Sequence, residues 1–144
     1  MRAIAFVIVL GGAMLAACAS TPAPETPPGT AAPGDQVGKG AQLYAKNCAG
    51  CHGANGEGTD NGPAVVGKSA LPLDPPAARK FRKTQFHTAA DVGDFVAKNM
   101  PPPGGKLTAD EAFAILAFDL KANGVDLQGK TVDASNAGSF VLHP

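Results

Sequence analysis

The chain has 144 residues, enough for one domain, with 12 Lys and Arg against 12 Asp and Glu, 18 glycines, 13 prolines and no tryptophan. Balanced charge argues against a basic surface for nucleic acid and against an acidic solvating tail. Glycine and proline predict short helices joined by long loops, around a core small enough to gain from something extra inside it.

Residues 1–17 read MRAIAFVIVLGGAMLAA: Arg2, an apolar run, then small residues. That order is an export signal, and the run is short for a membrane span. A buried helix of the domain is a poor alternative, because nothing in the run is polar enough to face water; an uncleaved anchor stays open. "LAAC", Leu15–Cys18, resembles the lipobox of bacterial lipoproteins. The resemblance implies cleavage before Cys18, a diacylglycerol on its sulfur and acylation of the new amino terminus. Each buried methylene adds about 0.8 kcal/mol of membrane affinity. A cysteine standing by chance beside an ordinary cleavage site is the other reading. Ala19 is compatible with outer-membrane sorting, which leaves inner or outer membrane open. The rest of segment 18–35 is rich in Pro, Ala and Thr and almost without large apolar groups. Such a stretch is a semi-extended tether, reaching about 50 Å at about 3.1 Å per residue.

A domain is expected over 36–124. In its first helix Val37, Ala41, Tyr44 and Ala45 form a stripe at helical spacing. Gly40 lies on or beside the stripe and reads either as the place where another helix approaches, with Tyr44 stacking on that partner, or as an incidental glycine. Then comes Cys48-Ala49-Gly50-Cys51-His52. C-x-x-C-H is the attachment signature of c-type haem: two cysteines for thioether bonds to one porphyrin edge, and a histidine to turn its imidazole beneath the iron. A thioredoxin-like C-x-x-C would need alternating strands and helices around it. A structural zinc site would need a fourth ligand at finger-like spacing, and His87 and His143 are too far along. With Cys18 lipidated, no cysteine is left for a disulfide.

What fills the sixth iron position separates electron transfer from chemistry. Past the export signal Met100 is the only methionine, set in "KNMPPPGG". Pro101 biases Met100 toward an extended conformation, and the prolines stiffen the loop. Core packing is the usual role of a lone methionine, but these surroundings make a poor core, so Met100 is the expected ligand. His87 is the rival, with bis-histidine ligation as the minor reading. Thr88 with Asp91 predicts the start of a helix carrying Val92, Phe95, Val96 and Asn99. Thr108 with Glu111 starts another, with Phe113, Leu116, Ala117 and Leu120 as its apolar stripe, Ile115 and Phe118 widening it and Gly124 as the stop.

With these elements in place, residues 36–124 resemble a class I monohaem cytochrome c. The resemblance implies an all-α fold of short helices and long loops around one covalent haem c, with His52 and Met100 as axial ligands and the first and last helices crossing. It also implies that Pro63, in "NGPAVVG", offers its carbonyl to the His52 ring N–H. From residue 88 onward the chain is similar to cytochrome subunits and domains that accept electrons from dehydrogenases. That implies a dehydrogenase donor and an oxidase or cytochrome acceptor.

The run "AARKFRK" groups Arg79, Lys80, Arg82 and Lys83. It reads either as a patch steering an acidic partner or as a solvated loop. The extension 125–144 is expected to pack back on the domain, with the surfaces under Phe140, Val141 and Leu142 undetermined. No nucleophile, general base or oxyanion donor is identifiable beside the haem, so the reading is a one-electron carrier on the periplasmic side of a bacterial membrane. The alternatives are a haem enzyme or gas sensor with a labile sixth ligand, which predicts carbon monoxide binding without denaturant, and an assembly subunit of a larger redox complex.

Overall fold

The computed structural model describes residues 33–77, 82–103 and 107–143. The export signal, Cys18, most of the Pro-rich stretch, Arg79 and Lys80 lie outside these residues. Helix α1 spans Pro33–Asn47, α2 Ala49–His52, α3 Ala89–Asn99 and α4 Ala109–Ala122, and a 3-10 turn covers Ala137–Ser139. An isolated antiparallel bridge joins Thr88 and Val141. The fold is all-α. No helix among the described residues is long and apolar enough to cross a membrane.

Helix α1 begins at Pro33, inside the segment read as tether, and its buried line differs from the apolar stripe. Gln36, Gly40 and Tyr44 are buried, Val37 and Ala41 are half-buried, and Ala45 is exposed. The physical reason is the crossing with α4, the helix against which α1 packs most extensively. A Cβ on Gly40 would overlap the Ala114 carbonyl oxygen and lie 2.9 Å from Phe118 Cβ. The helix therefore turns its smallest residue inward, and positions four apart follow it onto that face. Tyr44 comes with it: its ring centroid is 5.3 Å from that of Phe118, tilted by 45°.

Both predicted helix starts form. Glu111 Oε2 accepts from Thr108 N at 2.9 Å, and Thr108 Oγ1 accepts from Glu111 N at 3.3 Å. At α3, Asp91 Oδ2 accepts from Thr88 N at 2.8 Å and His87 N at 3.0 Å. Just past the end of α4, Gly124 takes φ 81°, with Val125 N donating to Leu120 O and Gly124 N to Lys121 O, the paired bonds of a Schellman stop.

The tail beyond α4 supplies part of the core. Leu127, Val132, Ala137 and Phe140 are buried with Val92, Leu116 and Leu120 in one cluster. The Gln36 amide clamps this tail to α1, its Nε2 donating to Val132 O at 2.7 Å and its Oε1 accepting from Val132 N at 2.8 Å. Phe140 O accepts from Ala89 N and His87 O from Leu142 N, both at 2.9 Å. The tail is thereby fastened to the start of α3.

Candidate haem site

Helix α1 runs directly into the attachment motif. Cys48 N donates to Tyr44 O at 2.8 Å, and α2 then makes one turn in which His52 N donates to Cys48 O at 2.9 Å. Cys48 is half-buried, Cys51 is exposed, and neither is spent in a disulfide. The His52 Nδ1 lies 2.7 Å from the Pro63 carbonyl oxygen. A carbonyl only accepts, so Nδ1 carries the proton and Nε2 keeps its lone pair for a metal.

The segment holding Pro63 is itself braced. Thr59 Oγ1 donates to Cys51 O at 2.5 Å, and Thr59 N donates to Gly62 O at 2.8 Å. A Cβ on Gly62 would come within 2.7 Å of Cys51 O and 3.1 Å of His52 Nδ1, so the close approach of the two backbones needs a glycine there. From the far side, Asn123 Nδ2 donates to Val65 O at 2.8 Å and Asn123 Oδ1 accepts from Gly67 N at 3.0 Å. The end of α4 thus fixes the loop that orients His52.

A cavity of about 250 Å³ opens in front of this motif. Cys48, Cys51, His52, Pro63 and Met100 all line it, together with apolar residues such as Leu71, Phe95, Val96 and Ile115. Met100 follows α3 in an extended conformation, φ −120° and ψ 142°, with its N–H bonded to Val96 O. His87 is not among the lining residues; it is exposed, its Nε2 3.0 Å from Gln85 Oε1. His143 is exposed as well, its Nε2 2.8 Å from Leu71 O.

Arg82 corrects the reading of a cationic surface run. It is 5% exposed and lines the cavity, with its guanidinium 3.9 Å from the Phe86 ring centroid. It donates to the carbonyl oxygens of Leu73 and Asp74. Arginine pairs a flat, weakly hydrated cation with several donors, so an aromatic face and two carbonyls take it inside. Burial lowers its pKa from the ordinary value, opposed by Asp74.

Two further polar groups reach the cavity wall. Tyr44 is 1% exposed and donates from its hydroxyl to Gly53 O at 2.9 Å. Burial, then the nearby Asp119, pushes the phenol up to about 12. Before haem is attached, the same two causes, followed by Cys51, push the Cys48 thiol up to about 11. Asp119 is 5% exposed, and desolvation raises its carboxyl to about 7. Asp119, Asn123, Thr59 and the burial of Arg82 escaped the sequence reading. Asp119 alone left a signal, as the one charged residue in the run "AFAILAFDL".

The residues present fit a covalently held haem: two unspent cysteines, an imidazole with Nε2 free, and a mainly apolar cavity in front of them. That combination defines a small haem-binding electron-transfer domain. The chain matches the family model for cytochrome c over residues 37–121, more than half its length, and it belongs to the cytochrome c family. It carries covalently bound haem c and is an electron-transfer protein rather than an enzyme.

A cytochrome c subunit of the cytochrome bc1 complex of Corynebacterium efficiens is 31% identical over 155 aligned positions, which cover 96% of this chain and 51% of the relative. Among solved structures, the sulfane dehydrogenase SoxCD from Paracoccus pantotrophus matches with a TM-score of 0.56 and 32% identity, covering 74% of this chain and 52% of that one. The chain spans about half the length of each.

Proposed function

We propose that this cytochrome is a membrane-tethered, periplasm-facing one-electron carrier with His52 and Met100 as axial ligands. In this reading it receives electrons from a dehydrogenase and passes them to a respiratory chain. The observation that carries the ligand assignment is that His52 and Met100 border one cavity and the rival His87 does not. Bound haem c would supply the one-electron couple, with His52 and Met100 as the residues that would hold its iron and the thioether favouring the reduced state. The chain's own residues hold that couple still: Pro63 and Asn123 orient His52, and the Met100 loop follows directly from the packed helix α3.

The tether rests on the export signal, on Cys18 in "LAAC" and on the Pro-rich stretch. A redox partner is supported by the two relatives, one a subunit of a bc1 complex and one a sulfane dehydrogenase. The bc1 relative also favours a second reading, a subunit fixed within a respiratory complex. Oxidised holoprotein should show the weak far-red band of sulfur-to-iron charge transfer, and Met100→Ala should abolish it. A band unchanged in Met100→Ala refutes the ligand assignment. In the assembly reading, Met100→Ala leaves complex formation and turnover intact. For the tether, Cys18→Ser should release the protein from membranes.

A further inference from the structure

Asp119 has no evident part in holding haem, yet it occupies a costly place. It lies on the face of α4 that lines the haem cavity, is 5% exposed, and its Oδ1 has no hydrogen-bond partner among the described residues. A buried carboxylate without partners is far less stable than the neutral acid. We propose that Asp119 takes up a proton when the domain is reduced and releases it on oxidation, so that this cytochrome moves a proton with its electron.

The argument is electrostatic. The oxidised cofactor carries one more positive charge than the reduced one, in the cavity that Asp119 lines. At low effective dielectric that extra charge favours the carboxylate, and its loss on reduction favours the acid. Burial raises the Asp119 carboxyl to about 7, so the change falls where water supplies and accepts the proton. One electron enters from the donor while one proton from water joins an Asp119 carboxylate oxygen; both leave on oxidation.

Among the described residues, the other polar and charged groups of the cavity and of the helices around it leave this role to Asp119. On α1, Tyr44 remains a neutral phenol whose O–H is committed to Gly53. Cys48, between α1 and α2, is uncharged as a thioether. On α2, His52 donates its Nδ1–H as a hydrogen bond to the Pro63 carbonyl oxygen. Helix α3 lends the cavity Val92, Phe95 and Val96, while its Asp91 caps the helix and its Asp94 pairs with Lys98. Among the described residues Arg82 is the cation on the wall, committed to the Leu73 and Asp74 carbonyls. On α4, Lys121 is exposed, and the amide of the following Asn123 bonds the Asp119 backbone oxygen rather than its carboxyl.

The inference rests on the haem and not on which residue fills the sixth position. The test is the midpoint potential of purified holoprotein from pH 5 to pH 9, with the optical spectrum recorded throughout to separate a change of iron ligand from a proton on the protein. Wild-type protein should show the reduction equilibrium falling tenfold per pH unit across part of this range, which is about 59 mV per unit for one electron. Asp119→Asn should be flat there, held near the wild-type low-pH value. In parallel, the infrared difference spectrum of wild-type protein labelled with carbon-13 in its aspartate carboxyls should gain a labelled protonated-carboxyl band on reduction. A flat wild-type profile overturns the proposal, and so does a slope retained in Asp119→Asn, which would assign the proton to the cofactor's own carboxylates. Should Asp119→Asn fail to take up haem, absence of the labelled band in the wild type is the overturning result.

Discussion

His52 Nδ1 donates to the Pro63 carbonyl oxygen across 2.7 Å, from a loop that reaches it only because position 62 is glycine. The bond settles the imidazole tautomer and raises the basicity of the other nitrogen. Gly62→Ala sets a Cβ against Cys51 O and must push the loop away. With His52 on the iron as proposed, the expected result is a higher midpoint potential, because a less basic imidazole stabilises oxidised iron less. Solvent exchange of the His52 ring N–H should also quicken roughly fivefold, as for the loss of about 1 kcal/mol of hydrogen bonding. Unchanged ring-proton exchange by NMR would argue against the mechanism.

Gly40 decides whether α1 and α4 can cross. Its added Cβ would meet backbone, the Ala114 carbonyl carbon at 2.6 Å, and backbone yields less readily than a side-chain tip. Gly40→Ala should cost about 3 kcal/mol by overpacking, against roughly 1 kcal/mol gained in helix propensity. Urea unfolding of the holoprotein measures the balance, and net stabilisation would contradict the crossing.

The two bonds of Gln36 to Val132 join residues 96 positions apart. Gln36→Leu keeps the bulk and removes both bonds, leaving buried backbone groups unpaired. The expected loss is about 2–3 kcal/mol. Hydrogen exchange should quicken most at the Val132 amide and along the tail that carries Phe140.

Asp119 gives folding stability a sign that surface carboxylates do not. Its carboxyl is raised from 3.8 to about 7 in the folded protein, so the folded state binds this proton more tightly than the unfolded chain. That contribution is fully present below about pH 4 and is lost as pH rises through about 7. Asp91 works in the opposite sense. The Thr88 backbone bond lowers its pKa, so its contribution is present at neutral pH and is lost in acid. Between pH 5 and 7, holoprotein held reduced should lose stability against Asp119→Asn by about 1.4 kcal/mol per pH unit. Parallel stability curves for the two proteins would refute this.

The sequence by itself determined whatever is written within a few neighbouring positions. The C-x-x-C-H run identifies the cofactor because thioether spacing and the adjacent imidazole need only one turn of chain. Thr108 with Glu111, Asp91 beside Thr88, and the Gly124 stop are legible for the same reason: each helix-end bond spans three to five positions. The tertiary structure decided everything whose partner is remote. Only the crossing at Gly40 turns Gln36 inward and Ala45 outward, against the apolar pattern. Arg82 reads as surface charge until the Phe86 ring and two carbonyls enclose it. Asn123 reaches a loop 58 positions back, and only folding brings His52, Met100 and Asp119 to one cavity. A side chain's burial depends on what packs over it, and composition along the chain does not carry that.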